Sequence, residues 1–378
     1  MCFETPKIAL ARKESLTAAA KDISSSGDIS PDSDRTWEDC MLDGDFAAAW
    51  EFSDRVMAER AGHPCYDWPR HLQYIWDGRE LAGKRVLVRC YHGLGDTTHL
   101  IRYVPQLCDR AKEVVVWAQA ELLPLLRTVD ARAEFIPLHD GVPQTHYDVD
   151  VEIMELPHVF RSTAETLPRR VPYLSMTGAA GRTRERRCDQ SRGELHGDVR
   201  LDAIETPHGS SRGGGGADCS REFHAGLVWA SGNWNPARSV SLEALHPLWR
   251  NTGVIWHALQ QGDALAEWHG EYGPISSKRE PEALARVMMS LDLIVSVDSF
   301  PTHLAGALGL PTWLLLSRPA DWRWLREGEE SLWYPTMRIF RQRSAGDWSS
   351  VVAEVEAALA TEHRAAKRLA TERRPPAG

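Results

Sequence analysis

The sequence predicts an α/β protein built on two doubly wound parallel sheets, and three observations carry that prediction. Short apolar strands alternate with helical segments through short joints, once from Lys84 and again from His224. Two of these strands run straight into a turn that sets a carboxylate where a helix should begin: Val86-Leu-Val-Arg-Cys-Tyr-His-Gly-Leu-Gly-Asp-Thr-Thr98 and Ile294-Val-Ser-Val-Asp-Ser-Phe-Pro-Thr-His303. The 378 residues exceed one ordinary domain and fit two. Two sheets facing each other, each with a carboxylate on its inner rim, suit transfer of a group from a nucleotide-activated donor.

The elements follow in order. Residues 1–35 are rich in Ser, Asp and Gly and read as disordered. Residues 36–80 form a helical extension: Phe46, Trp50, Phe52, Val56 and Met57 recur at helical spacing, giving one amphipathic helix over 37–57, a single leftover repeat unit. Residues 81–175 make the first domain, with strands at 85–90, 114–117, 133–137 and 147–153 and helices at 96–107 and 121–128. Residues 176–222 are polar and glycine-rich, the chemistry of a flexible linker. Residues 223–345 make the second domain, with strands at 224–230, 253–259, 293–297 and 311–316 and helices at 281–291 and 302–308. A helix over 347–360 and a basic tail complete 346–378; the tail reads as a solvated helix end, with at most peripheral membrane contact.

Composition narrows the function. Hydrophobic residues at 43% and charged residues at 26% are those of a soluble globular protein, and a formal charge of −9 gives no overall footprint for nucleic acid. No apolar run approaches the ~18 residues of a spanning helix, and the N-terminus lacks a secretory pattern. The seven cysteines are scattered without a CxxC pair, so neither a zinc site nor a disulfide framework is indicated, and a reduced cytoplasmic protein is expected. The 15 tryptophans could stack on sugars or bases, but core packing is the ordinary use of each.

In the first turn, Gly93 and Gly95 let the backbone pass tightly from strand to helix. Asp96 then has two available roles, capping the helix or taking a proton from an incoming hydroxyl. The dinucleotide fingerprint would want a small residue where Thr98 stands, which weakens a nicotinamide-dependent oxidoreductase. In the second turn, Ser299, Thr302 and the amides of the following helix offer a phosphate site beside Asp298. His303 is either an ordinary helix histidine or part of that site. Arg238, in the loop after the first strand of this domain, is either a surface charge or a diphosphate ligand.

Six segments in order, Gly93-Leu-Gly-Asp96, Val171-Pro-Tyr-Leu174, Gly226-Leu-Val-Trp229, Ser296-Val-Asp-Ser299, the run from His303 to Pro311 and Asp321-Trp-Arg-Trp-Leu325, resemble the ADP-heptose–lipopolysaccharide heptosyltransferase family, glycosyltransferase family 9. The likeness covers 81–359 and is greatest to the branch attached to tetratricopeptide repeats. It implies a GT-B fold, two Rossmann-like domains facing a central cleft, with a short helical N-terminal extension. It also implies an inverting, metal-independent and cofactor-free glycosyltransferase using a nucleotide-diphosphate sugar, ADP-linked, with a glycan, lipid, protein or small-molecule acceptor. Its base falls on Asp96, its donor residues on Asp298, Ser299 and His303, its phosphate-contacting cation on Arg238, and its nucleotide pocket on Gln260. The acceptor is expected near His92, Gly93, Gly95 and Glu152. Phe300-Pro301 replaces the small residues usual before the histidine. A non-catalytic nucleotide-sugar binding or scaffold protein is the alternative.

Overall fold

The computed structural model describes residues 35–60, 65–66, 68–176, 222–232, 235–251 and 253–372. The segments expected to be disordered or linking fall almost wholly outside these residues. Strands β1 (Arg85–Arg89), β2 (Glu113–Ala118), β3 (Glu134–Pro137) and β4 (Val149–Glu152) form one sheet in the order β3-β2-β1-β4. Strands β5 (Phe223–Val228), β6 (Val254–Ala258), β7 (Leu293–Val297), β8 (Thr312–Leu316) and β9 (Met337–Arg341) form the other in the order β6-β5-β7-β8-β9. All pairings within both sheets are parallel. These are doubly wound orders, and each reverses direction once, at β1/β4 and at β5/β7. The two acidic turns follow β1 and β7, so both stand at a switch point, where such sheets open a crevice at their carboxyl edge.

The helices are α1 (Trp37–Leu42), α2 (Phe46–Arg60), α3 (Leu94–Leu100), α4 (Val104–Cys108), α5 (Leu123–Leu126), α6 (Leu156–Val159), α7 (Pro281–Ser290), α8 (Phe300–Ala307) and α9 (Trp348–Glu372). The single helix expected over 37–57 is a hairpin of two, because Gly44 takes φ +75°, a left-handed conformation that ends α1. Helix α3 starts two residues before its expected position, with Gly93 as N-cap, and a 3-10 turn at Ile101–Tyr103 separates it from α4. Strand β9 is not among the strands the sequence predicts.

The two lobes share their interior. One apolar cluster takes in Met41 and Trp50 of the hairpin, Val86 and Val88 of β1, and Leu304, Ala307 and Tyr334 of the second lobe. The outer face of the second sheet has its own cluster, in which Leu227 and Val295 meet Val351, Val355 and Leu359 of α9. After the first lobe the chain docks on the second at once, the amides of Tyr173 and Leu174 donating to the Ala307 carbonyl at 3.0 and 3.2 Å.

The hairpin touches both lobes. Trp50 Nε1 donates to the Ser162 carbonyl at 2.7 Å, and Asp54 pairs with His158 and Arg161. On the other side, Arg326 pairs with Asp39 at 3.0 Å and Asp43 at 2.7 Å, and Trp37 meets Trp322 edge-on.

Candidate functional site

Helices α3 and α8 bring the two acidic turns together. A Cβ on Gly95 would lie 3.0 Å from His303 Cδ2 and 3.6 Å from Phe300 Cα, so only glycine lets the two first turns approach this closely. Around this contact, five charged side chains alternate in sign from lobe to lobe. Arg238 meets Asp298 at 3.0 Å and Asp321 at 3.1 Å; Arg323 meets Asp321 at 2.8 Å and Asp96 at 2.5 Å. The series runs Asp298, Arg238, Asp321, Arg323, Asp96, with three carboxylates and two guanidiniums.

Asp96 fills the first of the two roles open to it and adds an ion pair across the lobes. Its Oδ2 accepts from the Gly93 amide at 3.0 Å, capping α3, while its Oδ1 takes the guanidinium of Arg323. Its side chain is 28% exposed. Arg323 is only 7% exposed. Its Nε–H is buried and has no acceptor among the described residues. Burial works against its charge, but Asp321 and Asp96 hold the guanidinium protonated all the more firmly.

Asp298 is buried at the end of β7. Burial pushes its carboxyl up to about 6, against the lowering pull of Arg238. Asp321 is pushed the same way by burial, but Arg323 and Arg238 overcome it and hold its carboxyl below the usual range. His303, also buried, is held down to about 3, first by burial and then by Arg323, so the imidazole is neutral. Its Nδ1 meets the Tyr334 hydroxyl at 3.0 Å, its Nε2 lies 3.8 Å from Asp298, and its ring stacks on Trp324. His99, from α3, contacts the same Tyr334 hydroxyl at 3.2 Å.

Three assignments change. Thr302 is fully buried, and its hydroxyl donates back to the Val297 carbonyl at 2.7 Å; it braces the end of β7 and does not face a donor. The Thr302 and His303 amides both point to the Ser299 carbonyl, at 3.1 and 3.4 Å, and Pro301 has no N–H. Helix α8 therefore offers fewer amides to a phosphate than expected. Gln260 is buried and spends its amide on the turn after β5: Oε1 accepts from Trp229 and Ala230, and Nε2 donates to the Ala230 and Gln261 carbonyls. It shapes that turn and leaves no polar atom for a nucleotide.

Ser299 remains partly exposed, its hydroxyl 3.0 Å from the Val297 carbonyl. On the first lobe, His92 Nδ1 lies 3.0 Å from Glu152, which is buried at the end of β4 beside β1. The neighbouring Glu155 is pushed up to about 7 by burial, while accepting from the Ile75, Trp76 and Glu152 amides. Sequence reasoning missed Asp321, Arg323, Tyr334 and His99. The first two stood in Asp321-Trp-Arg-Trp-Leu325, where an acid and an arginine two residues apart were the available signal. Among the described residues no group of three or more His, Cys, Asp or Glu side chains could hold a metal ion, and no helix is long and apolar enough to cross a membrane.

No family model matches the chain. Protein FlbA of Caulobacter vibrioides is 23% identical over 317 residues, with 75% of this chain and 48% of that protein covered, so the chain spans about half the length of the curated relative it matches. Among solved structures, a glycosyl transferase family 9 protein from Veillonella parvula is similar at a TM-score of 0.46 and 14% identity, over 76% of this chain and 99% of that one. The ADP-heptose lps heptosyltransferase II of E. coli is similar at a TM-score of 0.41 and 15% identity, over 74% and 99%.

Proposed function

We propose that this chain is an inverting, metal-independent glycosyltransferase of the heptosyltransferase-like kind, transferring a sugar from a nucleotide-diphosphate donor, ADP-linked, to an acceptor hydroxyl. The observation that supports it is the ladder of buried and part-buried charge joining Asp96 on one switch point to Asp298 on the other. A part-exposed carboxylate from one lobe and two guanidiniums from the other meet at one place.

In this reading Asp96 takes the proton of the acceptor hydroxyl. The acceptor oxygen forms a new bond to the anomeric carbon from the face opposite the diphosphate. The bond from that carbon to the diphosphate oxygen breaks, and its electron pair leaves with the diphosphate. Arg238 and Ser299 stabilise the charge that develops there. The acceptor rests against the first lobe beside His92, which the buried Glu152 holds in place.

Asp96→Asn keeps the cap geometry and removes the base, and should slow transfer by roughly 10²–10⁴-fold in a coupled diphosphate-release assay. Turnover equal to wild type would remove Asp96 from the base role. Ser299→Ala combined with Arg238→Ala should weaken nucleoside-diphosphate binding in a calorimetric titration, and unchanged affinity would remove the donor assignment.

A further inference from the structure

We propose that Arg323 is a second ligand of the donor diphosphate, and that Asp96 holds it in place until the donor arrives. The inference rests on the transferase reading above and adds a residue and an order of events to it.

Three observations carry it. Arg323 and Arg238 grip one carboxylate between them, a guanidinium on each oxygen of Asp321, at 2.8 and 3.1 Å. Two forks converging on one small anion is the arrangement that a diphosphate, with more oxygens and more charge, would engage. Arg323 also keeps a buried Nε–H without an acceptor among the described residues. That donor stands beside the two contacts to Asp321 and Asp96 and adds a third hydrogen-bonding position to the same guanidinium. Finally, the two ends of the Arg323–Asp96 pair differ in exposure, 7% against 28%. Asp96 can lose its partner to water or to an acceptor hydroxyl and still keep the Gly93 amide. Arg323, the more buried of the two, keeps Asp321 at 2.8 Å and needs a second anion in place of Asp96.

The exchange then has a direction. The guanidinium of Arg323 occupies Asp96 Oδ1, the oxygen not used for capping. A diphosphate oxygen that draws Arg323 toward itself frees Oδ1 for the acceptor proton. The base is released only when the sugar to be transferred is present. The charged and titratable groups facing this contact are Asp321 on the same loop, Asp298 at the end of β7, His303 on α8, His99 on α3, Tyr334, and Arg238 through Asp321.

Competition of this kind has a counter-intuitive signature. Calorimetric titration with ADP, GDP, UDP and dTDP should find one that binds wild type. Asp96→Asn, although slowed in transfer, should bind that same nucleotide roughly tenfold more tightly, because the competitor for Arg323 is gone. Arg323→Gln should bind it at least about tenfold more weakly, and adding Asp96→Asn to Arg323→Gln should restore less than about twofold. Equal tightening by Asp96→Asn with and without Arg323 would reflect the general field of a removed carboxylate and would overturn the latch. Wild-type affinity in Arg323→Gln would overturn its role as a ligand; both results leave the donor reading standing. If none of the four nucleotides binds wild type, the donor reading itself fails. Should Arg323→Gln not fold, Arg323→Lys replaces it: losing the fork should shrink the Asp96→Asn effect to under about threefold.

Discussion

Acid stability tests the electrostatics of the lobe junction more sharply than any activity. His303 is 5% exposed and is held down to about 3, against an ordinary value of about 6.5. A group depressed on folding contributes stability that is whole above its unfolded value and is lost as pH falls toward the folded one. Between pH 6.5 and 4.5 that loss is about 2.3 kcal/mol, since the unfolded imidazole is already half protonated at the upper end. Asp298 acts in the opposite sense. Its carboxyl is pushed up to about 6, so its stabilising contribution is whole below an unfolded value of about 3.9 and is lost as pH rises through about 6. Acidifying from pH 6 to 4.5 therefore returns about 2 kcal/mol. In wild type the two nearly offset. Relative to wild type, His303→Gln should gain about 2–3 kcal/mol between pH 6.5 and 4.5, and Asp298→Asn should lose about 2 kcal/mol between pH 6 and 4.5. Urea unfolding of the three proteins at stepped pH reads this directly, and taking differences removes the carboxylates they share. A His303→Gln curve parallel to wild type across this window would show that the imidazole is not buried neutral.

Two further changes probe the same junction. Gly306→Ala would put a Cβ 2.4–2.7 Å from the Tyr334 ring, whose hydroxyl serves His303 and His99; overpacking there should cost about 1–3 kcal/mol in thermal unfolding. Arg102 lies buried between the lobes, bonded to the His99, Pro168 and Trp333 carbonyls and the Tyr173 hydroxyl. Arg102→Met strands those acceptors, and a loss on the order of 3 kcal/mol should appear in denaturant unfolding.

Much of the fold was legible because its signals are local. Strands β1 and β7 each carry a three-residue apolar core, Val86-Leu-Val88 and Leu293-Ile-Val295, as expected of parallel strands covered on both faces, and a glycine or small hydroxyl residue follows each in its turn. Strand β9 escaped notice because Met-Arg-Ile-Phe-Arg alternates charge with apolar residues, the pattern of an edge strand. The site divides in the same way. Asp96, Asp298 and Arg238 lie on turns whose position follows from strand order, and the structure joins them through two residues that strand order does not reach. Asp321 and Arg323 gain their meaning only when the loop after β8 meets α3 of the other lobe, and no periodicity records that contact. Thr302 and Gln260 went astray for the converse reason. A hydroxyl or amide beside a strand end meets its own backbone before any ligand, and hydrogen bonds made locally satisfy it first.

The shared interior described for the two lobes bears on how the protein could be divided. Leu304, Ala307 and Tyr334 belong to the second lobe by sequence, yet they are covered by residues of the first and by the hairpin. Expressed alone, the second half would present these surfaces to water and aggregate, and the first half would lose the floor beneath its own core. A nick between 177 and 221 is a different matter: the two fragments would remain bound to each other and copurify, held by burial without a covalent link.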